Sequence, residues 1–434
     1  MHSLKKSNLN FYIILIILFS NFFFGWGFQN TTILSIPLLY FLLAILIFNS
    51  DLRTNLNILN DLKILNIYSL YILFFVSKII IGFFKFGIIA IRDGTFVLDS
   101  FFLIILIGLV FQNTSYINKI EKFFKFCFIY SFFFILFWFI KENIIFLSPT
   151  ISSPTGSKTN IFFNFSTINT TCVFFAFYSL IYLNKNKNLF FIFFLIFSLI
   201  LQPKRMVYLW YLSSFIFLIL IDSKNFKLLF NIFFLLFLIY ILDIFGLTSF
   251  LNIKDISIFE FLTNHIMSSL PGYALENENE IFISSNATVA WRLNEWSNVL
   301  EKVQSNIYTL LLGLDFGTPL TNFYNSQGII TREPHNLYIT ILARGGIIGS
   351  FLFLVLHFKI LKILLSLIRE NYNSNKKQIN SLILLVFIYV IFIFIPGAVS
   401  SSILSVTYYS SQLYIFFGIL LAINAQRKIA KFKE

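Results

Sequence analysis

Three residues from well-separated parts of the chain could carry chemistry together: Arg205 in "LQPKRMVYLW", Arg292 in "WRLNEWSNVL" and His335 in "REPHNLYITILARGGIIGS". Arginine presents a planar fork of donors that fits phosphate oxygens in pairs. A neutral imidazole can take a proton from a hydroxyl. All three are expected at similar depth on the outer surface, where basic residues are few. Other chemistries are disfavoured. His2, His265, His335 and His357 are scattered without metal-ligand spacing. Cys127 and Cys172 both lie in apolar runs, which argues against a disulfide framework or a thiolate site. No Asp-x-Asp pair occurs that could hold a nucleotide sugar through a metal. Neither a metal nor a cofactor is expected.

The elements that position these residues must be membrane helices. Of the 434 residues, 58% are hydrophobic and 12% charged, about half the charged share of a soluble domain. The expected fold is all-α and polytopic. Apolar runs predict about twelve spans, near 9–26, 33–49, 65–90, 96–112, 123–147, 160–183, 188–202, 206–222, 226–249, 336–358, 380–396 and 403–424. The first is read as a span rather than a cleaved leader, because no small-residue cleavage site follows it. With the N-terminus inside, twenty of the 32 basic residues fall on the inner side, so both termini are expected in the cytoplasm. The net charge of +13 is then a topology signal, and no nucleic-acid partner is implied.

The chain divides on this reading into an N-terminal bundle (1–249), a large outer loop (250–335) and C-terminal helices (336–434). A loop of that length in a compact protein is usually functional. Within it, Val289, Leu293, Trp296, Leu300 and Val303 recur at helical spacing and predict an amphipathic helix on the membrane or capping the bundle.

At the mouth of the tenth span, Pro334 suits a helix start and puts His335 in the first turn. Unpaired amides and the helix dipole there disfavour an imidazolium. At about 100° per residue, Gly346 falls about 20° from the His335 face and Gly349 about 40° to its other side. The wheel leaves a bare stripe under the histidine. Gly345 and Gly349 can also be read simply as a small-xxx-small packing contact.

"HNLYITILARGGIIG" resembles the signature of the O-antigen ligase and polymerase superfamily, with His335, Asn336, Gly346 and Gly349 at the signature positions. "RLNEWSNVLEKVQSNIYTLLLGLDFG" resembles the segment that these proteins carry in their large periplasmic loop: an Arg, a Trp, then Gly-x-x-x-Gly. "KRMVYLW" resembles, more loosely, an Arg at the outer end of an earlier span. The resemblance implies a GT-C-like, metal-independent glycosyltransferase of the bacterial inner membrane. Its donor would be a glycan on undecaprenyl pyrophosphate, and a chain-length regulator is a further partner that it allows. His335 would deprotonate the acceptor hydroxyl while Arg205 and Arg292 bind the pyrophosphate, with Asn336, Gly346 and Gly349 supporting.

Two alternatives stay open within that family. The sparse outer cations lean towards a polymerase, since a ligase must accept a phosphorylated lipid A core. The rival class is a flippase for the same lipids, which predicts inverted repeats and broken helices with charges at mid-membrane. No repeat is legible. Lys78, Lys85, Asp99, Asp243 and Arg344 do fall within spans. Lys85 and Asp99 are placed to pair across a helical hairpin, and Arg344, opposite His335 on the wheel, is expected to snorkel outward.

Overall fold

The computed structural model describes residues 2–25, 27–28, 31–33, 36–140, 150–152, 158–160, 165–183, 187–201, 205–221, 280–321, 334–371, 377–398 and 407–433. The expected span at 226–249 and much of the outer loop lie outside the described residues. The N-terminal half comprises α1 (His2–Phe23), α2 (Leu38–Asn49), α3 (Leu52–Asp61), α4 (Leu65–Phe86), α5 (Ile88–Asp93), α6 (Thr95–Asp99), α7 (Phe101–Gln112) and α8 (Ser115–Ile140). There follow α9 (Phe165–Tyr182), α10 (Lys187–Leu201), α11 (Arg205–Ile221), α12 (Glu280–Gln304), α13 (Ile307–Leu312), α14 (Leu337–Asn371), α15 (Lys377–Phe394) and α16 (Thr407–Lys433). Two short antiparallel ladders, Thr32–Ile33 with Ile36–Pro37 and Thr150–Ser152 with Lys158–Asn160, are the described exceptions to helix.

Among the described residues, four helices are long and apolar enough to cross a bilayer: Leu65–Phe86, Thr95–Gln112, Leu337–Glu370 and Tyr409–Ala430. Further apolar helices are shorter. Helix α7 shows why the bundle holds. Its sequence is apolar on every side, and Phe102 to Val110 are all buried, as such a helix requires. Against it runs α16, where a Cβ at Gly418 would stand 2.5 Å from the Leu106 Cβ, so the two helices cross closely. By contrast α4 and α14 expose Leu70, Leu73, Phe84, Phe351, Leu354 and Phe358, the pattern of a lipid-facing surface.

Helix α14 is broken. Gly346 has φ 59° and ψ −160° inside it, a region essentially reserved for glycine. The wheel argument fails at this point, because the rotation between residues 335 and 349 does not follow one regular helix. Two charge assignments fail with it. Lys85 pairs with Asp315 at 2.5 Å, while Asp99 is fully buried and accepts from Ser410 of α16. Arg344 does not snorkel: it is 1% exposed and bonded to Asp93 Oδ2 at 2.9 Å.

Candidate functional site

Asn336 caps α14. Its Oδ1 accepts from the backbone N–H of Tyr338 (2.9 Å) and Ile339 (3.1 Å), satisfying two of the orphan donors of the first turn. The helix therefore begins at Leu337, and His335 lies before the cap rather than in the first turn. Its backbone is left-handed, φ 53°, an uncommon conformation that His tolerates better than most residues. This turns the imidazole off the helix axis and towards α12.

Helix α12 meets it there. Trp296 Nε1 donates to the Pro334 carbonyl at 2.6 Å. One turn earlier on the same helix, Arg292 acts electrostatically on His335. Burial first, and the Arg292 charge second, push the His335 imidazole down to about 4. It is neutral across the physiological range for those two reasons. Arg292 is itself half-buried, so its field is poorly screened by solvent.

The helix is seated through Val299 and Val303, which are buried against Leu320 and Ala343 with Ile339 and Leu342 alongside. The apolar stripe expected from sequence is thus shifted. Leu293 is 52% exposed, and the polar Glu295 is buried on the packed side. The helix docks on α14 rather than merely lying on a membrane surface.

The Gly-x-x-x-Gly segment explains the break. Leu314 N–H donates to the Ala343 carbonyl at 2.6 Å, taking up an acceptor that the interrupted helix frees. A Cβ on Gly346 would lie 2.4 Å from the backbone of Leu311, and one on Gly313 would lie 2.5 Å from Gly346 N. Two chains pass here at a distance that only glycine permits. Charged side chains clasp the segment. Lys78 Nζ donates to the carbonyls of Leu312 and of Gly313, the latter at 2.8 Å. Arg344 Nη1 donates to the Asp315 carbonyl at 2.8 Å, and Gly317 N–H donates to Asp93 Oδ2 at 3.2 Å. A helix broken among charges is what a transporter calls for, yet this gap is filled by the protein's own backbone.

Gly345 and Gly349 accept the rings of Phe75 and Phe74 from α4, which is the small-residue packing contact. Arg205 is the first residue of α11, and its side chain lies outside the described residues. The helix itself is well placed: Trp210 stacks on Phe392 at 3.9 Å and donates to the Ile388 carbonyl. Tyr338 of α14 reaches the Phe394 carbonyl at 2.7 Å. The 3₁₀ turn Pro396–Ala398 contacts both α11 and α14. The starts of the two helices, and with them Arg205 and His335, converge on that end of α15.

Residues 190–354 match the family model described as O-antigen ligase, and the matched stretch includes Arg205, Arg292, His335, Asn336, Gly346 and Gly349. The match supports a relationship of this part of the chain to the O-antigen ligase and polymerase superfamily. No curated protein matches the chain. The match points to a glycosyltransferase-like membrane enzyme. Sequence reasoning missed the clasp. Lys78, Lys85 and Arg344 were visible as charges within spans, but their partners Asp93 and Asp315 lie in a short connecting helix and a loop, where a carboxylate attracts no notice.

Proposed function

We propose that this protein transfers a glycan from undecaprenyl pyrophosphate to the hydroxyl of another glycan at the outer face of the bacterial inner membrane, as a polymerase, with no metal. The observation that carries this reading is the pairing of a neutral, half-buried His335 with Arg292. In the step itself, the acceptor oxygen bonds to the anomeric carbon, and its proton passes to His335. The bond from that carbon to the pyrophosphate oxygen breaks, and its electron pair leaves with the pyrophosphate. Arg292, joined by Arg205 from α11, holds the departing group. The two positions complement each other. Burial, with Arg292 adding to it, keeps His335 unprotonated in the free enzyme, and a bound pyrophosphate offsets the Arg292 charge and raises the basicity of the imidazole when a proton must be taken. A ligase using lipid A core as acceptor has the same site and differs in what approaches it.

In this reading, residues 1–249 form one bundle, 250–335 the outer segment and 336–434 the closing helices, with both termini cytoplasmic. The test is transfer by purified protein with a lipid-linked oligosaccharide. His335→Ala should abolish product yet bind donor normally, since the imidazole acts on the acceptor. Arg292→Lys should lose about 10²-fold, the scale of a single charge-stabilising donor, because a point charge replaces a fork. Full turnover in His335→Ala protein that inserts normally would rule the base out.

A further inference from the structure

The helix ends furthest from His335 enclose a second site. Past the break at Gly346, α14 still runs from Ile347 to Glu370, about 36 Å of helix against about 30 Å of hydrocarbon. The last turns of α14 therefore stand in the headgroup layer of the opposite leaflet. There a cavity of about 320 Å³ opens between α14 and α16. Lys362, Arg427 and Lys428 line it against one carboxylate, Glu370, with Ser366 and Asn424 as hydrogen-bonding groups. Three cations against one anion leave the lining at +2. Arg427 is half-buried with Glu370 acting on it, so its guanidinium is held at the back, while Lys362 and Lys428 stand at the exposed mouth.

The surroundings say what kind of anion fits. Leu365 and Ile429, next to the lining residues in sequence, are 47% and 44% exposed, and Leu62 and Ile363 complete the wall. Apolar surface continuous with a cationic cavity suits a ligand that joins a phosphate to acyl chains. Basic pockets between membrane helices take anionic headgroups on these grounds. A scattered cationic belt, as topology alone demands, needs neither a cavity nor a carboxylate among its cations.

We propose that this cavity binds the phosphate headgroup of an anionic phospholipid, with Lys362 and Lys428 on the phosphate and Arg427, set by Glu370, behind it.

The experiment uses the full-length protein purified into phosphatidylcholine nanodiscs, titrated with phosphatidylglycerol or cardiolipin and read by native mass spectrometry and thermal melting. Lys362→Gln/Lys428→Gln is compared with Lys122→Gln/Lys125→Gln, which removes the same charge from exposed positions on α8. Those positions belong to the same end of the bundle, since Gln426 bonds the Val110 carbonyl at the end of α7. The cavity variant should bind anionic lipid about 30-fold more weakly, about 1 kcal/mol for each cation, and the α8 variant should bind as wild type. Equal losses in the two variants would overturn the site in favour of a diffuse belt. Stabilisation by inorganic phosphate alone, matching that by lipid, would overturn the lipid assignment.

Discussion

Replacing Gly346 by alanine isolates the feature on which the candidate site is built. The new residue would have to hold φ 59° and ψ −160°, at a cost of about 1–3 kcal/mol. Its Cβ would also sit 2.4 Å from the Leu311 carbon and oxygen. Those are backbone atoms, fixed by the Leu314–Ala343 bond and by Lys78, so they cannot swing aside. Overpacking of this kind adds about 1–3 kcal/mol, for about 2–6 kcal/mol in all. The adjacent Gly345 is an internal control. It is helical and its Cβ would meet the edge of the Phe75 ring at 3.0 Å and the Ser350 backbone nitrogen at 3.3 Å, so Gly345→Ala should cost about 1 kcal/mol, offset in part by better helix propensity. Gly349→Ala, with Phe74 Cε1 at 2.7 Å, should fall between, since a ring can rotate. Thermal melting of detergent-purified variants, alongside glycan transfer, should rank them Gly345, Gly349, Gly346 in rising severity. A Gly346→Ala protein that melts like wild type, or below which Gly349→Ala falls, would refute the break in α14.

Breaking the buried Arg344–Asp93 pair from one side, as Arg344→Gln or Asp93→Asn, should cost about 3–5 kcal/mol. The double variant should cost clearly less than the sum when melted under the same conditions, and strict additivity would mean that the two groups do not interact. For pH dependence, kcat/KM needs a neutral His335 in the free enzyme and should fall only as pH drops to about 4. Arg292→Gln should move that acid limb upward, though not fully to the ordinary histidine value, because burial is the larger cause. In the wild type the limb in kcat should lie above that in kcat/KM, since bound pyrophosphate offsets Arg292, and coincident limbs would contradict the proposed coupling.

Much of the fold was legible because membrane helices announce themselves by composition. The runs at 96–112 and 188–202 coincide with described helices, and that at 65–90 overruns one that ends at Phe86. The site was legible as a set of residue types, because Arg292, Trp296 and His335 fall in recognisable short motifs. Its geometry was not. Two local facts defeat a helical wheel drawn from His335: Asn336 caps the helix, so His335 lies outside it, and Gly346 leaves the helical region altogether. Neither is written in hydrophobic periodicity. The partners of the buried charges were hidden for another reason. Lys85 and Asp99 are close in sequence and on adjacent helices, which makes them the natural pair. The carboxylate that Lys85 uses, Asp315, is 230 residues away, and only the passage of the outer segment through the helix break brings it near.

The break in α14 also explains why so polar a clasp is kept inside an apolar bundle. Arg292 and His335 belong to different elements, and the proposed proton transfer would demand that they be held to a fraction of an ångström. Both are referenced to the same stretch of α14. His335 is fixed from above by the Asn336 cap and by Trp296 on Pro334. Arg292 is fixed through Val299 and Val303, which bear on Ala343 three residues before the break. The segment following α12 is then tied beneath them, where Leu314 fills the Ala343 carbonyl and Asp93, Lys78 and Arg344 hold the backbone on either side. Tilting α12 away from the histidine would have to unseat two buried valines and strip the Trp296 bond. Sliding it along α14 would pull Gly313 out of a gap that fits only glycine. A continuous helix would offer neither restraint, and a loop resting on lipid would offer less still.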